Sequence, residues 1–238
     1  MIELTKINDC INFDEPTHVY TKNGKKFTSV TTMLSFFKNK FDPQGHIARA
    51  VAKRDGIDVK EVLSNWDKTK VEGLVRGRNF HRQAEHFIKT GEILDEDYKD
   101  VIIQLKDFDF NGGKLFSEIG LHSDEFEIAG CCDLIELIGD KNIATFDFKS
   151  NKKLTTFSKY KTKLLYPLTH LDECDLTIYS LQIGIYNRML EDFGYKSIDK
   201  SKILHINPET RKIDVYPIMP LKDEVNKLLK HFKSMMDF

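Results

Sequence analysis

Hydrophobic and polar residues alternate along the segment 143–149, which predicts a β-strand with two different faces. Phe146 and Phe148 fall on one face and are expected to point into a core, whereas Asp147 and Lys149 fall on the other face. The strand would therefore pack with one side and carry its reactive groups on the other.

The preceding segment, 133–138, is also strand-like, and the polar residues 139–142 between the two are typical of a hairpin turn. If the first three of these form the loop, Asp133 lies directly across from Asp147. Like charges that face each other across strands are destabilising, and a bound metal ion would turn that repulsion into binding energy. Two carboxylates and the ammonium of Lys149 could hold a divalent ion and orient a water at a phosphodiester. The alternative is a hairpin that simply presents polar residues to solvent.

The first third of the chain is predicted to elaborate on this core. Residues 1–35 look extended, with a turn at 22–25, and residues 43–66 look helical and charged, with a break at 55–56. We expect this helical part to form a small cap, with Trp66 packing the cap onto the core.

The remaining pattern alternates between helices and strands. A helix is expected over 71–90, with an apolar stripe formed by Leu74, Phe80, Ala84, Phe87 and Ile88. Further helices are expected at 95–111, 175–192 and 221–236, and strands at 114–119, at 125–138 with a break at Gly130, at 202–207 and at 212–218. This order predicts an α/β fold.

Composition fits one domain of 238 residues, of which 40% are hydrophobic and 31% charged. We divide it into an N-terminal elaboration (1–70), a core (71–220) and a C-terminal helix (221–238). The sequence contains no apolar run that could span a bilayer, and its beginning does not resemble a signal peptide. Four cysteines without framework spacing indicate a reducing compartment. We therefore expect a cytoplasmic protein, bacterial or from a phage-infected cell, with no membrane partner.

Two helices carry polar pairs that could face the hairpin. His81 and Glu85 are four residues apart, as are Gln182 and Tyr186, so each pair shares one face of its helix. An imidazole is a good ligand for a borderline divalent ion, and an amide with a phenol can hold phosphate oxygens or orient Lys149. Each pair could equally be an ordinary helix face whose polar tips are hydrogen-bonded or solvated.

A lysine-rich segment follows the second strand. Between 149 and 163 there are six lysines, interleaved with Phe157 and Tyr160. Lysines on phosphates with aromatic rings on bases are a common way to hold a single nucleic-acid strand. A solvated connecting loop is the alternative, and the net charge of −1 argues against binding through bulk basicity.

The motifs, taken in order, resemble those of the PD-(D/E)XK nucleases. They comprise Gly77, His81 and Glu85, then Gly130-x-x-Asp133, Asp147-Phe148-Lys149 and Gln182-x-x-x-Tyr186. Their order and spacing look most like the RecB-like exonuclease branch, which includes phage-type exonucleases, Cas4 and the mitochondrial genome-maintenance exonuclease. His18-Val19-Tyr20 followed by residues 29–32 looks like the opening segment of phage-type members. The resemblance spans residues 15 to 220 and implies a restriction-endonuclease-like core, a central mixed sheet flanked by helices.

The resemblance also implies roles for individual residues. His81, Asp133, Asp147 and the backbone carbonyl of Phe148 would bind Mg²⁺ or Mn²⁺, with Lys149 near the attacking water. Gln182 and Tyr186 would position the phosphate or the lysine, and Glu85 would support the ligands. Independently of the resemblance, Glu118 lies on the strand before the hairpin, where it either supports the ligands, directly or through a metal-bound water, or is an exposed strand charge. Residues expected to contact DNA are Arg78, Ser29, Thr31, Lys152, Lys153, Lys159 and Tyr160.

Several relatives hold an iron–sulfur cluster with one cysteine before the core and three after it. Here the cysteines are Cys10, Cys131, Cys132 and Cys174, so we expect no cluster. The leading hypothesis is a metal-dependent DNA exonuclease that acts on single-stranded ends, with a recombinase, helicase or single-strand-binding protein left open as a partner. The alternatives are an endonuclease with the same chemistry and a catalytically silent DNA-binding protein.

Overall fold

The computed structural model describes residues 3–17, 19–40 and 46–236, so His18 and the predicted start of the helical cap at 43–45 lie outside the described residues. The fold is α/β, with a large mixed sheet flanked by helices. The helices are α1 (Leu4–Asn8), α2 (Val30–Ser35), α3 (His46–Asp55), α4 (Val59–Thr90), α5 (Lys99–Lys106), α6 (Asp175–Asp192) and α7 (Lys222–Met236). The strands are β1 (Asn12–Asp14), β2 (Val19–Lys22), β3 (Lys25–Ser29), β4 (Lys114–Ser123), β5 (Ile128–Ile138), β6 (Asn142–Lys149), β7 (Lys196–Ser197), β8 (Lys202–Ile206) and β9 (Ile213–Pro217).

The sheet is ordered β1-β2-β3-β5-β6-β8-β9, with β4 also paired to β5 and β7 also paired to β6. The pairs β3–β5, β6–β7 and β6–β8 are parallel, and the others are antiparallel. The parallel pairs need crossover connections, which α6 and the loop before it supply between β6 and β8.

The long strand β5 carries a fork in the sheet. β4 pairs along one edge of β5, whereas the other edge is shared by two strands. β3 pairs with β5 only up to Ala129, and β6 pairs with it from Leu134 onwards. The residues between these two positions face the gap between β3 and β6, and Asp133 is one of them.

Helices cover both faces of the sheet. One face packs against α1, α2, α6 and α7, and the opposite face packs against α5 and the second half of α4. The predicted inward face of β6 is confirmed, because Phe146 and Phe148 are buried against α4 and α5. Among the described residues, no helix is both long and apolar enough to cross a bilayer.

The helix predicted at 71–90 is the second half of the 32-residue α4, which begins after the Asp58 cap and ends at Gly91. The expected role of Trp66 is wrong, because Trp66 lies on α4 itself and packs with α3 in a small separate cluster. Leu74 does not belong to the buried stripe either, since it is 62% exposed. The pattern placed Leu74 on the correct helix, but this part of α4 extends beyond the sheet.

The N-terminal region differs from the extended segment predicted at 1–35. It contains α1 and α2, both packed on the main core, and β1 to β3, which join the sheet. The turn at 22–25 does connect two strands, β2 and β3. The proposed boundary at residue 70 falls inside α4, so the elaboration and the core share a continuous helix.

The predicted break at Gly130 is wrong, because β5 continues through it. The glycine serves a close approach instead: a Cβ at this position would lie 2.8 Å from Cε1 and 2.9 Å from the hydroxyl of Tyr186 on α6. Gly130 therefore lets α6 pack directly on the backbone of β5, which brings the polar residues of α6 near the hairpin.

We expect Gly130→Ala to lower the free energy of unfolding by about 1–3 kcal/mol, because the added methyl would displace the buried Tyr186 ring. Chemical denaturation measures this. Gly73→Ala is the matched control, since the nearest atom to its Cβ is 3.8 Å away and alanine favours a helix. It should leave stability unchanged or raise it by up to about 1 kcal/mol. A Gly130→Ala variant as stable as Gly73→Ala would contradict the tight contact.

Candidate metal centre

The hairpin has the predicted register. β5 and β6 pair from Ile138↔Asn142 to Leu134↔Phe146, so the next position places Asp133 opposite Asp147. The alternative of a solvated face is wrong, because Asp133 and Asp147 are both buried. The face of β6 that carries Asp147 packs against α6.

The alternation of side chains reverses at the level of this acid pair. Phe116 and Ile119 on β4 both pack on the core that faces α6, although they are three residues apart and would normally point to opposite sides. Between them, Glu118 has a φ of 52°, in the left-handed region. Such a conformation costs a non-glycine residue about 1–3 kcal/mol and is concentrated at functional sites. This conformation changes the direction of the Glu118 side chain. Glu118 lies opposite Asp133 in the β4–β5 register.

Three side chains form a compact ligand set. His81 on α4, Glu118 on β4 and Asp133 on β5 each offer one ligand atom, and these atoms lie within 4.8 Å of one another. His81 Nδ1 is 3.4 Å from Glu118 Oε1 and 3.5 Å from Asp133 Oδ1. The other oxygen of Asp133 accepts a hydrogen bond from the Phe148 backbone N–H at 2.7 Å. The second Glu118 oxygen accepts one from the Cys131 thiol at 3.2 Å.

Asp147 stands beside this set and has other partners. Its Oδ2 is 2.5 Å from Lys149 Nζ, and its Oδ1 accepts a hydrogen bond from the Gln182 amide at 3.1 Å. The same amide group lies 3.3 Å from the Tyr186 hydroxyl. The structure therefore brings these four residues together. It places Glu118, expected only to support the ligands, directly among the ligand atoms.

Asp133 and Asp147 lie close together in a buried site, and their burial changes their pKa values. Burial raises the pKa of Asp133 and raises the pKa of Asp147 to about 6, although Lys149 opposes both shifts. Burial alone would lower the pKa of His81, but the carboxylates of Asp133 and Glu118 outweigh it and raise that pKa to about 9. The site is thus short of positive charge, which a divalent cation would supply.

Sequence reasoning missed the residues that hold Lys149. The Lys149 ammonium lies 4.7 Å from the centroid of the Tyr179 ring, which is three residues before Gln182 on α6. The i, i+3 spacing to Gln182 could have revealed Tyr179.

Beyond Lys149, the Ser150 carbonyl accepts hydrogen bonds from the Arg76 guanidinium at 2.9 and 3.2 Å. The buried His205 ring N–H donates to the next carbonyl, that of Asn151, at 2.8 Å.

Glu85 and Ser29 have structural roles that differ from the ones expected. The Glu85 carboxylate pairs with Lys89 one turn later on α4, and no described contact brings it to the ligand set. The Ser29 hydroxyl is buried and caps α2 by accepting a hydrogen bond from the Thr32 N–H at 3.0 Å. That hydroxyl is therefore committed to the helix and not offered to a phosphate, whereas Thr31 is exposed.

The lysine-rich segment leaves β6 directly at Lys149 and is anchored in its middle. Leu154 is buried, and Thr155 and Ser158 donate to the carboxylates of Asp175 and Asp172. The outward residues around these anchors are exposed, most of all Tyr160 at 83%. Lys152, Lys153 and Lys159 are exposed, and Arg78 lies on the surface with its guanidinium 3.9 Å from Glu15. Their contact with DNA stays a prediction.

Comparisons with known proteins add little to this geometry. No protein-family model matches the chain, and no curated protein matches it. Among solved structures, one that is similar is the crystal structure of a "putative exonuclease" from Eubacterium rectale. It is 11% identical, with a TM-score of 0.35, over 85% of this chain and 68% of that chain. A likeness of this size carries no argument about function, which must come from the site itself.

We expect Asp133→Asn to weaken Mn²⁺ binding at least about tenfold, because a charged ligand is lost while an oxygen remains to accept from Phe148. Isothermal calorimetry measures the affinity. Without metal, the same variant should melt at a higher temperature, since repulsion with Asp147 and Glu118 is relieved. Asp140→Asn, in the exposed turn of the same hairpin, is the control and should change neither quantity. Unchanged Mn²⁺ affinity in Asp133→Asn would remove this residue from the site.

Proposed function

We propose that this protein is a metal-dependent nuclease of the PD-(D/E)XK type that hydrolyses phosphodiester bonds in DNA. One observation carries the proposal: His81, Glu118 and Asp133 present ligand atoms within 4.8 Å of one another, beside a buried Asp147–Lys149 pair. A merely structural cluster would have no need of three carboxylates at one level of the sheet, because their mutual repulsion opposes folding.

The donor set fits a divalent ion. Carboxylate oxygens suit Mg²⁺ and Mn²⁺, and the imidazole favours Mn²⁺ somewhat. His81, Glu118, Asp133 and Asp147 would hold the ion, with the carbonyl of Phe148 as a further oxygen donor. When bound, the ion would neutralise charge on the phosphoryl oxygens and act as a Lewis acid.

The other residues would orient the reaction. Lys149, fixed between Asp147 and the Tyr179 ring, would hold the attacking water and stabilise negative charge as it grows at phosphorus. Gln182 would keep Asp147 in place through its amide, and Tyr186 would keep Gln182 in place. The expected product end is a 5′-phosphate.

The proposed substrate is a single-stranded DNA end. The exposed lysines and aromatic residues that follow Lys149 support it, because they would contact phosphates and bases as the strand leaves the site. Cleavage by the same residues within a strand, as an endonuclease, is the second candidate, and a silent DNA-binding protein is the third. The intact set of Asp133, Asp147 and Lys149 favours catalysis over the silent protein, since a binding scaffold has no need of a buried lysine paired with an acid beside the ligand atoms.

Digestion of end-labelled oligonucleotides tests the proposal. We expect nucleotides to be released from linear single strands with Mg²⁺ or Mn²⁺, and no release with EDTA. Covalently closed single-stranded circles should survive. Cutting of circles would favour the endonuclease, and no release from any DNA with either ion would leave only the silent protein.

We expect Lys149→Ala to slow cleavage by about a hundredfold or more, because the charge that develops at phosphorus loses its partner. Single-turnover rates measure the effect, and calorimetry should show that Mn²⁺ still binds. Lys227→Ala, at an exposed position on α7, is the control for loss of a lysine. Wild-type rates in Lys149→Ala would refute the role given to this residue.

A further inference from the structure

The outer part of α4 presents apolar side chains to solvent. Leu74 is 62% exposed and Val71 is 58% exposed, whereas Phe80 and Ala84 on the inner part of the same helix are buried. Val71 and Leu74 are three residues apart on the helix, so their exposed side chains are neighbours and form a small apolar patch. We call Val71 and Leu74 the outer face of α4.

This outer face lies on the same side of α4 as His81, which belongs to the metal centre. Leu74 lies two turns before His81, and seven residues bring a helix back to within roughly 20° of the same direction. Gly77 lies between them on this line, and a Cβ there would be 3.2 Å from the Ser150 hydroxyl. Ser150 directly follows Lys149, so the stretch from His81 to Leu74 runs past the end of β6.

The charge around this face suits a polyanion. Residues 67–82 contain five basic and two acidic side chains, in a protein whose net charge is −1. The exposed Lys70 lies on the same side of α4 as Leu74, one turn further out. Apolar contacts beside lysines and arginines are the combination that holds bases and phosphates of a single strand.

The small size of the face argues against a second copy of the chain. A stable dimer buries roughly 800 Å² per partner, which two aliphatic side chains on one helix do not offer. We propose that the outer face of α4 packs against nucleobases of the DNA strand whose phosphate lies at the metal centre. This inference rests on the proposed function and adds a specific base-contacting surface to it.

The inference is tested by measuring how the protein binds two single strands of the same length, an oligothymidylate and an abasic strand. Fluorescence anisotropy is measured with Ca²⁺ replacing Mg²⁺, so that binding is followed without digestion. We expect Leu74→Ser to bind oligothymidylate about five- to tenfold more weakly than wild type and to bind the abasic strand equally well. Leu74→Met should restore the wild-type affinity.

Ile103→Ser is the matched control, because Ile103 is 42% exposed but lies on α5 and not on the outer face of α4. It should bind both strands as wild type does. The inference is overturned if Leu74→Ser binds oligothymidylate normally or loses equal affinity for the abasic strand. It is also overturned if sedimentation shows that wild type is a dimer and Leu74→Ser a monomer. If wild type neither binds nor cuts DNA, the proposed function itself fails, whereas normal wild-type cutting with an unaffected Leu74→Ser removes only this inference.

Discussion

Three carboxylates lie at one level of the sheet, on the neighbouring strands β4, β5 and β6, and much of the structure serves to keep them there. Glu118 faces Asp133 in one register and Asp133 faces Asp147 in the next. Their burial raises the pKa of both aspartates, so holding them ionised costs free energy that the fold must offset. Lys149 and His81 provide part of the compensation, and a divalent cation would provide the rest.

The surrounding architecture can be understood from this constraint. The fork between β3 and β6 leaves one edge of β5 open at Asp133, so that its carboxylate can take the Phe148 N–H instead of facing a continuous ladder. The left-handed Glu118 reverses the alternation of β4 at the same level. Gly130 lets α6 approach closely enough for Gln182 to reach Asp147. These three departures from regular structure all serve the placement of the acids.

The parts of this arrangement that follow local rules could be predicted from the sequence. The turn length set the register of Asp133 and Asp147, and the period of two placed Phe146 and Phe148 in the core. The sequence placed Glu118 near the site, but its place among the ligand atoms could not be predicted, because a single residue with positive φ in a strand leaves no signature in residue type. The exposure of Leu74 was also hidden, since an apolar residue at helical spacing looks the same whether the sheet beneath it continues or ends.

The central claim is that His81, Glu118 and Asp133 share one cation next to Asp147 and Lys149. Anomalous diffraction from a crystal soaked in Mn²⁺ tests it most directly. We expect a single strong manganese peak among these side chains, with ligand distances of about 2.0–2.3 Å. A manganese peak elsewhere, or none between the three side chains, would contradict the account and leave an α/β protein whose buried acids have some other purpose.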